Sequence, residues 1–138
     1  MNHPVAPSSI APPAANYVHA MVSENPSRFL HTSGVVPVAP DGTVPADVGE
    51  QAAVVWANIV AMLNEADMST ADIVSVTTYA VVGEDLGPVM AARDAALGAH
   101  KAASTLVTVP SLAQPAWRME IAVIAVARRQ TSMKVRAR

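Results

Sequence analysis

A single carboxylate, Glu120, is embedded in an otherwise apolar, strand-like run, Trp117–Ala127 (WRMEIAVIAVA). Side chains alternate across a strand, so Met119, Ile121, Val123 and Ala125 share one face, and Glu120, Ala122, Ile124 and Val126 the other. Apart from Glu120, and Arg118 where the run begins, both faces are apolar. Such a strand is normally covered on both sides, by helices or by another subunit. A carboxylate placed there loses its hydration and must find donors. It is either a structural acid bonded to backbone or to Arg118, or a group that binds and activates a small molecule. Arg118 lies ~6.6–6.8 Å away along the same face, and either turns toward Glu120 or a ligand, or ends the strand in solvent.

Other chemistries have less support. His3, His19, His31 and His100 show no metal-ligand spacing, and no Ser-His-Asp order is present, so neither a metal nor a triad is expected. The absence of cysteine excludes disulfides, thiolate nucleophiles and Cys-ligated zinc. Thr32-Ser33-Gly34 lacks the glycine pattern of a phosphate-cradling loop, and no cofactor is expected. Trp56, Met62 and Met90 read as packing residues. The net charge of −2, with only 14% of residues charged, leaves no electrostatic footprint for nucleic acid. Five cations in Arg128–Arg138 read as a solvated basic tail. No apolar run is long enough to span a membrane and no basic-then-apolar signal opens the chain, so a soluble cytoplasmic protein is expected. At 51%, the hydrophobic fraction is rich in small residues, as if part of it were buried between subunits.

The elements that must position Glu120 follow from spacing. Residues 1–15 carry Pro4, Pro7, Pro12 and Pro13 with no period, and read as an extended arm. Strands are expected over Asn16–Val22 and Arg28–Val38; Gly34 interrupts the second at a bulge or a close approach of backbone or ligand. A helix is expected over Asp47–Ala66, where Ala52, Val55, Trp56, Ile59, Met62, Leu63 and Ala66 form one apolar stripe and Asp47 caps the start. Asp72–Val82 reads as a strand, Pro88 to about Ala99 as a small-faced helix, and Ser104–Val109 as a strand. The order ββαβαββ predicts an α+β fold over 16–127, with both helices on one face of a mixed sheet and the other face bare in a monomer.

In this order the chain resembles the RidA family, also called YjgF or L-PSP. The resemblance rests on Tyr17-Val18, Thr32-Ser33-Gly34, Val44-Pro45-Ala46-Asp47-Val48 before the long helix, Ala71-Asp72-Ile73-Val74, and Glu120-Ile121 with Ile124-Ala125-Val126. It implies a chorismate-mutase-like fold and a homotrimer with small-molecule clefts at its interfaces. It also implies hydrolysis of enamine or imine intermediates, such as 2-aminoacrylate, to a 2-keto acid and ammonia. In the family a glutamate on the last strand orients water, a tyrosine near the N-terminus closes the cleft, and a glycine backbone faces it; these match Glu120, Tyr17 and Gly34. An arginine on the penultimate strand grips the substrate carboxylate, and here that position falls within Ala103-Ser104-Thr105, read as Ser104. An asparagine common on the second helix is replaced near Met90.

A hydroxyl cannot supply a charge-assisted fork, and hydrogen bonds to charged groups contribute about 1.5–3 kcal/mol each. Weak or absent activity on small 2-imino acids is therefore expected, with Ser104, Thr105 and backbone donors meeting a less acidic ligand. The resemblance leaves three readings: an imine deaminase of altered specificity, a non-catalytic binding or regulatory trimer, and a ribonuclease. The last is opposed by the acidic balance and the lack of a basic, aromatic groove.

Overall fold

In the computed structural model, which describes residues 1–128, the longest element starts at its expected cap. Helix α1 spans Val48–Glu65, and the Asp47 carboxylate accepts a hydrogen bond from the Glu50 N–H at 2.9 Å. Ala52, Val55, Trp56, Ile59 and Leu63 form its buried face. Met62, expected on that face, is exposed because it falls at the margin of the stripe. Helix α2 spans Leu86–Leu97, with Asp85 as N-cap and Pro88 in its first turn. It buries Val89 and Leu97 and, against expectation for a small apolar face, Arg93.

Among the described residues the strands are β1 (Asn2–Val5), β2 (Ala20–Ser23), β3 (Arg28–His31), β4 (Ile73–Val81), β5 (Ala103–Val109) and β6 (Met119–Ala127). The main sheet has the order β3-β6-β4-β5. β4 and β5 are parallel, as a crossover through α2 requires, and the other pairs are antiparallel. The result is an α+β layer of two helices on a mixed sheet.

Register decides which side chains share a face. Tyr79 stands opposite both Glu120 and Val107, and Thr77 opposite both Ala122 and Thr105. These six residues therefore lie on one face of the sheet. Val76, Met119, Ile121 and Val123 lie on the other and enter the core beneath the helices. Among the described residues no helix covers the first face; Phe29 of β3 is 59% exposed there and Val107 40%.

The N-terminal segment departs from expectation. Residues 2–5, read as part of an arm without an element, form β1, which pairs with β2 in a separate two-stranded ribbon (Asn2 opposite Ser23). Pro4 hid this strand from the pattern, yet a proline is tolerated in an edge strand. The strand expected from Asn16 begins only at Ala20. Residues 16–18 instead run beside the outer edge of β5, with the Val18 N–H donating to the Ala102 carbonyl at 3.1 Å. The basic tail expected over 128–138 lies, past Arg128, outside the described residues. No helix among the described residues is long and apolar enough to cross a membrane.

Candidate functional site

Glu120 sits where the β3 side of the sheet is locally widened. Thr32 pairs with Val123 and Val35 with Ile121, so Ser33 and Gly34 together face one residue, Ala122. The extra residue is a bulge, and it turns the Gly34 backbone onto the Glu120 carboxylate. The approach is so close that a Cβ at Gly34 would lie 1.9 Å from Glu120 Oε2. Among the described residues no backbone or side-chain group donates to this half-buried carboxylate.

Arg118 does not supply the missing donor. Its Nε donates to Glu84 Oε1 at 2.5 Å, which commits it to the loop before α2. The Arg118 backbone is held by a residue the spacing did not single out, Gln51 of α1. The Gln51 amide is 1% exposed and fully engaged: Nε2 donates to the carbonyls of Pro45 (2.7 Å) and Ala116 (2.8 Å), and Oε1 accepts from the Arg118 N–H at 2.8 Å. It thereby fixes the turn two residues ahead of Glu120.

Ser104 and Thr105 are separated by the strand period. Thr105 is exposed on the open face with Glu120, whereas Ser104 points to the helix side, level with Val76. There the Arg93 guanidinium meets it, Nη1 donating to Ser104 Oγ at 3.3 Å. Arg93, 4% exposed, also donates through Nε (3.2 Å) and Nη2 (3.0 Å) to Asp94 Oδ1, and Asn16 Nδ2 donates to Asp94 Oδ2 at 3.1 Å. Tyr17 follows Asn16, half-buried beside the β5 edge, with its ring edge-on to His19 at 5.7 Å.

Burial acts to raise the Asp94 pKa, but the hydrogen bonds from Asn16 and then Arg93, with the Arg93 charge, outweigh it and hold the carboxyl below 3.8. A depressed carboxyl stabilises the fold above its unfolded pKa and loses that contribution as pH falls through the folded value. Urea midpoints measured from pH 5 downward are thus expected to fall less steeply below pH 4 for Asp94→Asn than for wild type.

The predicted residues thus fall into two groups within one chain. Glu120, Gly34 and Thr105 lie on the open face. Tyr17 and Ser104, with Arg93, Asp94 and Asn16, lie at the β5–α2 edge. Arg118 belongs to neither, being tied to Glu84. Among the described residues no cluster of three or more His, Asp or Glu is placed to hold a metal ion. Arg93 escaped the sequence reading because it interrupts a small-residue helix face, where an arginine is ordinarily solvated.

The geometry has close parallels. The structure of YyfB from Yersinia pestis, described as a protein of unknown function of the conserved Rid family, is 27% identical. It superposes with a TM-score of 0.81, covering 91% of this chain and 98% of its own. The YjgF gene product of E. coli is 30% identical over 91% of this chain and 99% of its own, with a TM-score of 0.67. E. coli TdcF, crystallised with bound serine, is 26% identical over 91% and 98%, also with a TM-score of 0.67. No curated protein matches the chain. The sequence profile described as endoribonuclease L-PSP matches residues 8–127, and the chain therefore belongs to the L-PSP family, also known as Rid or YjgF.

Proposed function

We propose that the protein is a RidA-type hydrolase that adds water to an imine or enamine, releasing ammonia, with a specificity changed by the absence of an arginine at Ser104. The observation that carries this reading is Glu120: a half-buried carboxylate, apposed to a glycine backbone, with no donor of its own among the described residues. Such a group is free to hold a water by one oxygen. As the water oxygen bonds to the imine carbon, Glu120 takes one of its protons, and the C=N electron pair moves to nitrogen, to which Glu120 passes that proton. The C–N bond of the carbinolamine then breaks, its hydroxyl proton passing to the departing nitrogen. Imine and water become carbonyl and ammonia, and Glu120 ends as it began.

The two residue groups also bear on assembly. Glu120 faces the open side of the sheet, and Ser104 and Tyr17 lie at the β5 edge, so one ligand reaches both where the open face of one copy meets the β5 edge of another. This supports a homotrimer with interface clefts, as does the exposure of Phe29 and Val107 on an otherwise uncovered sheet face. The serine bound to TdcF favours a second reading, a trimer that binds a small amino-acid-like ligand without turning it over.

One assay separates the readings. Imino acids generated by an amino-acid oxidase and trapped with semicarbazide should disappear faster with wild type, and Glu120→Ala should remove that rate. Ligand-dependent thermal stabilisation with no product formed would favour the binding protein. A stable monomer in sedimentation at micromolar concentration would overturn the shared cleft.

A further inference from the structure

We propose that a cavity at the end of the open face receives the far end of the substrate side chain, and that Arg118 selects there for an uncharged acceptor oxygen. The inference rests on the hydrolase reading above and adds the substrate class: imines whose side chain ends in a carboxamide, a sulfoxide or a similar neutral acceptor.

The cavity, about 280 Å³, lies where β4 ends and β6 begins. The Val81 N–H donates to the Arg118 carbonyl at 2.9 Å, so this pair stands one rung beyond Tyr79 and Glu120 and shares their face. Val81 is nevertheless only 5% exposed, because the connection from β5 to β6 folds over it. Leu112, Pro115 and Trp117 of that connection form further walls, with the exposed Gln114 beside them. Two residues along a strand span ~6.6–6.8 Å, so a side chain of about three or four bonds reaches the cavity from a carbon reacting at Glu120.

Arg118 is the cation of this cavity. Its Nε is engaged by Glu84, but among the described residues Nη1 and Nη2 have no partner and remain available to a ligand. Charge decides which ligand. Glu84, 23% exposed, already balances the guanidinium at 2.5 Å. A second carboxylate would set two anions beside one cation against apolar walls, where an unbalanced charge loses its hydration. A neutral oxygen accepts from Nη1 or Nη2 and adds no charge. A wholly apolar side chain fills the walls but leaves those donors desolvated and unbonded. The subsite also keeps its place relative to Glu120, because Gln51 holds the Arg118 backbone N–H.

The test compares imines generated by an amino-acid oxidase from L-methionine sulfoxide, L-methionine and L-glutamate, which end in a neutral acceptor, no acceptor and an anion. Hydrolysis rates are measured beside calorimetric titration of the three amino acids. Wild type should favour the sulfoxide over each of the others roughly tenfold, the scale of one hydrogen bond to a charged group, and mainly through KM. Arg118→Met should bring the sulfoxide down to the level of methionine, and Arg118→Lys should retain part of the preference. Glu84→Gln, which keeps an acceptor for Nε and removes its charge, should raise glutamate to about the level of the sulfoxide. That variant carries the test if Arg118→Met fails to fold. A sulfoxide preference that survives Arg118→Met, or glutamate still rejected by Glu84→Gln, overturns the assignment. Glu120-dependent hydrolysis that does not distinguish the three imines overturns the subsite and leaves the hydrolase. Arg118-dependent binding of the sulfoxide without hydrolysis of any imine overturns the hydrolase and leaves the subsite. Neither binding nor hydrolysis with any of the three overturns both.

Discussion

Gly34→Ala is expected to abolish imine hydrolysis about as completely as removal of the Glu120 carboxylate, a loss on the order of 10²–10⁴-fold, while leaving the protein folded. The asymmetry comes from what the new methyl group meets. Its nearest neighbour is the far end of the Glu120 side chain, Oε2 at 1.9 Å and Cδ at 3.0 Å, and not backbone. The side chain can rotate aside, so the fold loses little. The carboxylate, however, then leaves the position against the bulge, and displacement of a catalytic group by about 1 Å can cost 10²-fold. Glu120→Gln provides the reference: it fills the same space, accepts no proton and should lose rate comparably. Circular dichroism and steady-state rates on both variants check the prediction. Full activity in Gly34→Ala would mean that the carboxylate works from another place, and the site would have to be redrawn away from the bulge.

Gly34 and Glu120 were legible together because each broke a simple pattern, a glycine in a strand and an acid in an apolar run. The same holds for the elements of the domain. The stripe from Ala52 to Leu63 and the cap at Asp47 located α1, and the β-branched run Asp72–Val82 located β4, because their periodicity reflects direct contact with the core. What stayed hidden was set by partners distant in sequence. β1 is a strand only because Ala20–Ser23 lies beside it, and Pro4 masks its pattern. Ser104 and Thr105 looked like one site when paired by sequence. The strand period sends them to opposite faces, and only register with Val76 and Thr77 shows which faces those are. Arg93 and Arg118 are the sharpest contrast. Arg118 drew attention by standing two residues from Glu120, yet Glu84, 34 residues back, holds it. Arg93 drew none, because its burial depends on β5 arriving beneath α2.

Gln51→Glu is expected to be among the most damaging single-atom changes to the fold, costing about 3–5 kcal/mol at neutral pH. The wild-type amide donates twice, to Pro45 and Ala116, and accepts once, from Arg118, at a site 1% exposed. A carboxylate keeps the single acceptor and loses both donors. Two carbonyls are left without partners, and the charge is set against their oxygen atoms. Each such buried group left unsatisfied costs about 1–3 kcal/mol, and the uncompensated charge adds to it. For a domain of this size that corresponds to a fall in melting temperature on the order of 10–20 °C. The pH dependence distinguishes this mechanism from simple loss of packing. Burial raises the pKa of the introduced acid, so its ionised form is the costly one. The penalty is therefore full above the folded pKa and shrinks as pH falls through it, when the protonated acid regains one donor. Urea midpoints of variant and wild type should converge between pH 7 and pH 5, whereas Gln51→Leu, which cannot ionise, should remain equally destabilised throughout. A constant gap for both would show that packing rather than charge sets the cost. Because Gln51 anchors Arg118 at the entrance to β6, the loss should reach Glu120 first: imine hydrolysis by Gln51→Glu should fail on warming before the far-ultraviolet signal of the helices does.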